Sequence, residues 1–349
     1  MTKPIFLLTS PEDLSREGLT ETIQPWEDGM RADTGRGSLE WWYFDAHLDD
    51  GSTAVIFFAT KSILKRNGPL RPEVSLTITR PDGTKVVESP VYAPDTFQAS
   101  KETCDVRIAD SWVRGDLHRY QLHAETGKLA ADLTFTGIVP PWRPGAGKTC
   151  FGTRKQYFAW LPAIPHGTVS GTLTYDGKTV AVNGTGYHDH NWGNVSLNTV
   201  MDHWYWGRAH LGDFTVIFVE KVMTPAYGSQ KIPIFMLAKG NRILTGDNRS
   251  LRLEKRDFVT HSGGREYPRQ LDFIWESEGR SVHLALRQPQ PIEAISLLTL
   301  FSPWQQKILR LFANPYYFRF NADLELTIDY DEIQAHERGP ALYEIMMLK

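Results

Sequence analysis

Residues 40–61 read EWWYFDAHLDDGSTAVIFFATK, and residues 202–221 read DHWYWGRAHLGDFTVIFVEK. Each stretch is an aromatic strand, a turn rich in Gly and Asp, and a second strand of β-branched and aromatic residues. Trp42-Tyr43 matches Trp204-Tyr205, His47-Leu48 matches His210-Leu211, and Val55-Ile56-Phe57 matches Val216-Ile217-Phe218. The offset, about 160 residues, is far longer than a solenoid repeat. Looser echoes pair residues 119–122 with 269–272 and residues 184–187 with 339–343. The pattern predicts a duplicated β unit, with domains over 1–195 and 196–349. Chance likeness between two strand hairpins is the plainer alternative.

The rest of the chain agrees with an all-β class. Pro-Asp-Gly at 81–83 and Asp-Gly at 176–177 each separate two strand-like runs, and Gly takes the positive φ of a tight hairpin freely. Each half offers eight or more short strands. A long antiparallel sheet removes its exposed edges by closing, and a small barrel can hold one ligand. The expected fold is therefore two tandem antiparallel β-barrels. Near residues 291–313 the strand pattern breaks: after Pro303, Trp304, Ile308, Leu309, Leu311 and Phe312 follow helical spacing. A short helical insertion is expected there, packed on the second barrel, lying over a pocket, or making a weak membrane-surface contact.

Composition excludes several classes. The 349 residues carry a net charge of −3, with no basic face for nucleic acid. There is no G-x-G-x-x-G or P-loop motif for a nucleotide, and no G-x-S-x-G elbow. The N-terminal apolar run, Phe6 to Leu8, is too short for a signal peptide core. A cytoplasmic protein with Cys104 and Cys150 reduced is expected. Nothing in these patterns sets the oligomeric state.

Chemistry concentrates in residues 184–193, GTGYHDHNWG. In a strand, Tyr187, Asp189 and Asn191 face one side and His188, His190 and Trp192 the other. Two further clusters are Glu40-Trp41-Trp42-Tyr43-Phe44-Asp45 and Asp202-His203-Trp204-Tyr205-Trp206. A carboxylic acid in an aromatic pocket has its pKa raised by desolvation and can act as a general acid at neutral pH. Protonation of a C=C bond gives a cation that Trp and Tyr faces stabilise. Hydration, isomerisation or cyclisation can follow. The candidate catalytic residues are Asp189, as proton donor, with His188 or His190 as partner, and His203. The candidate substrate-binding residues are Glu40, Trp41, Trp42, Tyr43, Asp45, Tyr187, Asn191, Trp192, Trp204 and Trp206.

Each has a structural alternative: the His-Asp-His run as a locked polar network, the Trp stripes as core, and Glu40 and Asp45 as solvated strand ends. The H-x-H spacing, with His203 as a third ligand, is a weak metal signal; neither metal nor organic cofactor is expected. The partner is expected to be a hydrophobic small molecule. A pericyclase that folds a polyene without proton transfer, and a non-catalytic carrier, are the competing readings.

At residues 40–45 and 184–193, together with His203–Arg208 and residues 341–344 (ALYE), the sequence resembles the carotenoid 1,2-hydratase (hydroxyneurosporene synthase-like, AttH-type) family, which is related to kievitone hydratase and to fungal decalin-forming Diels-Alderases. The resemblance spans nearly the whole chain. It implies two tandem lipocalin-like domains and cofactor-free acid catalysis or templated cyclisation of isoprenoid or polyketide-derived molecules. It places His188, Asp189, Trp192, His203 and Trp204 near the reacting centre.

Overall fold

The computed structural model describes residues 2–62, 66–300 and 314–349. Among these residues nearly all regular structure is antiparallel strand, and the helical pieces are single turns or little more. The chain divides into two compact units, Pro4–Ser196 and Leu197–Lys349, and Lys3 joins the second through an N–H donated to the Ala226 carbonyl (2.8 Å).

The first unit's main sheet runs Lys85–Glu88, Glu73–Thr79, Thr53–Ala59, Leu39–Leu48, Lys178–Gly193, Tyr157–Tyr175, Ala130–Gly137, Arg119–Glu125, Ser111–Gly115, Cys104–Ile108, Phe97–Ala99. The second unit's sheet runs Arg242–Thr245, Lys231–Lys239, Phe214–Met223, Met201–Leu211, Ile333–Met347, Tyr316–Tyr330, Arg280–Ser296, Glu266–Ser277, Leu251–Thr260. One strand order is thus written twice. In both units an opening hairpin pairs with the unit's last strand, and the sheet then runs backward along the chain. The echo between residues 119–122 and 269–272 falls on equivalent strands. Each sheet curls around its own apolar core.

The register corrects the sequence alignment. Inward residues of Leu39–Leu48 are Glu40, Trp42, Phe44, Ala46 and Leu48; those of Met201–Leu211 include Tyr205, Ala209 and Leu211. Matching the hairpins by their cross-strand pairs, His47 with Thr53 and His210 with Thr215, aligns Trp42 with Tyr205 and Trp41 with Trp204. The matched Trp42 and Trp204 therefore face opposite ways, because a one-residue slip in a strand flips every side chain. By the same count His188 corresponds to Tyr343, Asp189 to Glu344 and Glu40 to His203.

Two further expectations change. The strands around the site are long, at 19 and 16 residues for Tyr157–Tyr175 and Lys178–Gly193. Residues 291–296 belong to the strand Arg280–Ser296, and a 3-10 turn follows at Leu297–Leu300. Pro291 and Ile292 sit at a bulge, a place where strands tolerate proline. The expected helix after Pro303 lies outside the described residues.

Candidate functional site

The GTGYHDHNWG stretch is the end of Lys178–Gly193, a central strand paired with Leu39–Leu48 on one side and Tyr157–Tyr175 on the other. Its glycines are there for close approach. A Cβ on Gly184 would lie 2.1 Å from the His47 carbonyl oxygen, and one on Gly186 would lie 2.5 Å from Val169 Cγ2 and 2.6 Å from Phe135 Cε1. The strand is therefore held hard against its neighbours, and its alternation aims two sets of side chains at two faces.

The inward set forms a buried polar network in an aromatic core, in which Asp28 Oδ1 and His190 Nδ1 face each other as an ion pair without a hydrogen bond. His188 stacks on Phe44 (3.8 Å, 6°), and His190 stacks on Trp42 (4.6 Å, 14°) and leans on Trp192 (4.6 Å). His188 Nδ1 donates to the Tyr43 carbonyl (2.9 Å), which can only accept, so its Nε2 is left to meet Asp28 Oδ2 at 3.1 Å. Tyr120 Oη donates to the same oxygen (2.6 Å). His190 lies between two acids, with Nδ1 3.3 Å from Asp28 Oδ1 and Nε2 2.8 Å from Glu40 Oε1. Glu40 is fixed in turn by the backbone N–H groups of Arg31 (2.6 Å) and Ala32 (3.1 Å).

Burial alone would neutralise these groups, but their mutual pairing wins. Desolvation pulls His190 down, yet the carboxylates of Asp28 and Glu40 on either side of the ring carry its pKa up to about 9. Desolvation pushes Asp28 up, yet His188 and His190 hold it well below the usual carboxylate range. His188 and His190 are both 0% exposed. A substrate cannot reach them without opening the core, so this network fixes the strand.

The outward set is built around Asp189. Trp160 Nε1 (2.7 Å) and Tyr187 Oη (2.8 Å) donate to its Oδ2, and Asn191 Nδ2 (2.7 Å) donates to its Oδ1. Beside it, Tyr43 packs edge-on against Tyr187 (6.2 Å) and donates through Oη to Asp45 Oδ2 (2.9 Å), while Trp41 leans on Phe158 (5.8 Å). Desolvation outweighs the three donors and raises the Asp189 pKa to about 6. Asp189 is 7% exposed, a carboxyl that can carry a proton at the edge of an aromatic surface.

This arrangement corrects the expected pairing. Asp189 and the two histidines sit on opposite faces of one strand, so its hydrogen-bond partners are Trp160, Tyr187 and Asn191. Glu40 and Asp45 are buried, and neither is a solvated strand end. Trp42 and Trp192 belong to the inward core, whereas Trp41, Tyr43, Asp45, Tyr187 and Asn191 share the Asp189 face. His203, Trp204 and Trp206 stand on the opening strand of the second unit.

Asp28, Tyr120, Cys104 and Trp160 were not anticipated. Asp28 comes from the turn Pro25–Asp28, and its only signal in sequence is an acidic pair behind a Trp. Asp28, Cys104 and His188 each offer a ligand atom within 4.8 Å of the others. They fit an ion poorly: the Asp28 oxygen facing His188 already accepts from Tyr120, and burial beside Asp28 pushes the Cys104 thiol well up and keeps it protonated.

This is a double antiparallel β protein with an acid set in an aromatic face, and its sequence matches the AttH-like family over residues 33–304. The chain belongs to that family. It is 28% identical over 202 residues to the quinolone epoxide rearrangement protein penF of Penicillium thymicola, covering 52% of this chain and 55% of that protein. It is 40% identical over 213 residues to the hydroxyneurosporene dehydrogenase of Chlorobaculum tepidum, covering 49% and 53%. The chain thus spans about half the length of these curated relatives. Among solved structures it resembles CghA with Sch210972, at a TM-score of 0.64 and 16% identity over 89% of each chain, a likeness of fold. Among the described residues no helix is long and apolar enough to cross a membrane.

Proposed function

We propose that this protein is an enzyme of small-molecule biosynthesis that converts an apolar alkene- or epoxide-bearing compound by acid catalysis, without a cofactor, with Asp189 as the proton donor. The observation that carries this reading is the Asp189 carboxyl itself, lifted to about pH 6 by burial and edged by Tyr187, Trp160 and Tyr43.

The protonated carboxyl delivers its proton to an alkene carbon, which takes it with the π pair, or to an epoxide oxygen, which keeps the electrons of the breaking C–O bond. A carbocation forms on the neighbouring carbon. The rings of Tyr43, Tyr187 and Trp41 favour that cation by about 0.5–2 kcal/mol each where a face is presented. Water, a lost proton or a second π bond then completes hydration, isomerisation or ring closure. The Asp189 carboxylate left behind is held by Trp160, Tyr187 and Asn191 until it is reprotonated. His188 and His190 are positioning residues in this scheme. The epoxide rearrangement named for the penF protein is chemistry of this kind, which supports the reading.

The test is Asp189→Asn, assayed on a panel of prenylated and polyketide alkenes and epoxides by product mass spectrometry, with near-UV circular dichroism as the fold check. Turnover is expected to fall by about 10²–10⁴, the usual worth of a positioned acid. Full activity in a folded Asp189→Asn protein, with loss on Trp41→Ala, would instead mark a pericyclase that works by folding its substrate.

A further inference from the structure

Two neighbouring strands of the first unit carry the same pattern, Tyr43-Phe44-Asp45 and Tyr187-His188-Asp189. They run antiparallel, in a register that sets Tyr43 opposite Asp189 and Asp45 opposite Tyr187. Each phenol reaches two residues along its own strand. Tyr43 Oη donates to Asp45 Oδ2 at 2.9 Å, and Tyr187 Oη donates to Asp189 Oδ2 at 2.8 Å. The result is a local two-fold arrangement of two tyrosines, their rings edge-on at 6.2 Å, each holding a carboxyl group. The second unit does not repeat it. Trp206 and Arg208 stand where Tyr43 and Asp45 stand, and Leu342 and Glu344 where Tyr187 and Asp189 stand. The strand order is shared without the pattern, so the fold itself does not require it.

The two carboxyl groups differ in what can reach them. Asp189 is 7% exposed, whereas Asp45 is 1% exposed and lies beyond a substrate's reach. Tyr43 is half-buried, and Phe57 packs edge-on against its ring at 4.8 Å. Because Tyr43 is the cross-strand neighbour of Asp189, a cation made by that acid forms beside the Tyr43 ring. A phenol that donates to a carboxylate is polarised by it, and an electron-richer ring attracts a cation more strongly.

We propose that Asp45 is a positioning residue for the reaction: it fixes Tyr43 across from Asp189 and, through the Tyr43 hydroxyl, makes that ring the main stabiliser of the carbocation. This rests on the reading above that a cation forms at Asp189. Asp45 acts through Tyr43 and does not itself touch the substrate.

The test compares 3-(trimethylammonio)phenol, a fixed cation, with 3-tert-butylphenol, its uncharged isostere, by titration calorimetry on the full chain. The titrations are run at about pH 5, where the Asp189 carboxyl, raised to about 6, is mostly protonated and adds little charge of its own. The quantity read is the ratio of the two affinities. Tyr43→Phe keeps the ring and loses the hydroxyl. Asp45→Asn keeps an oxygen that accepts from Tyr43 and loses the charge. Each is expected to lower the wild-type ratio by about threefold or more while changing 3-tert-butylphenol binding by under about twofold. The double variant is expected to lower the ratio no further than Asp45→Asn alone. A merely structural role would weaken both ligands together. That outcome, a ratio unchanged by Tyr43→Phe, or failure of the cation to bind wild type overturns the proposal. Tyr43→Phe decides the matter even if Asp45→Asn does not fold. The measurement involves no turnover, so full activity in Asp189→Asn would count against the acid without altering this result.

Discussion

At the scale of single residues, the protein sets two carboxylates in opposite electrical states within one strand's reach. Asp28 is kept ionised by two imidazoles, and Asp189 is lifted by desolvation although three donors hold it. The His190 network has a clear linkage to pH. Its folded pKa, about 9, exceeds the ordinary 6.5, so its contribution to stability is full below pH 6.5 and is lost as pH rises through 9. Asp28 runs the other way, contributing above the ordinary 3.8 and failing as pH falls below it. Melting temperature relative to His190→Gln should therefore decline between pH 6.5 and 9. A wild-type-minus-variant difference that stays flat over that window would contradict the charged network. Asp28→Asn should cost about 3–5 kcal/mol in denaturant unfolding, because it leaves buried imidazole unpaired. A cost under about 1 kcal/mol would mean the histidines are neutral and satisfied elsewhere.

At the scale of elements, the strand Lys178–Gly193 does the positioning, and its glycines let it. Gly186→Ala must displace Val169, Phe135 or the Asp45 carbonyl, since its Cβ would fall 2.5–2.8 Å from atoms of each. We expect a loss of about 1–3 kcal/mol, the range for overpacking a core. A melting temperature equal to wild type would show that the neighbouring strands give way. Much at this scale was legible beforehand. The Pro-Asp-Gly and Asp-Gly turns mark hairpins that exist, and alternation in residues 187–192 correctly assigned the two faces. The Asp189–His pairing then ignored that alternation. The slip between Trp42 and Trp204 has another cause: aligned letters carry no parity, and the matched Trp stands five residues before the matched His in the first unit (Trp42 to His47) but six before it in the second (Trp204 to His210).

At the scale of the whole molecule, the duplication is deeper than the letters suggest. The shared strand order survives where inward residues have changed character, from His188 and His190 in one unit to Tyr343 and Ile345 in the other. Sequence could reveal the repeat because the opening hairpin kept its aromatic pattern. It could not reveal Asp28, whose contact with His188 closes across 160 residues of chain. Nor could it tell that Trp160 would cap the acid from the neighbouring strand.

The central claim is that Asp189 supplies a proton, and it is tested most directly by the pH dependence of single-turnover rate on a substrate found in the panel. The account predicts a rate that is level at low pH and falls tenfold per unit above about pH 6, as the Asp189 carboxyl ionises, with the limb absent in whatever activity Asp189→Asn retains. A rate independent of pH from 5 to 8 in wild type, and unchanged in a folded Asp189→Asn protein, would contradict it.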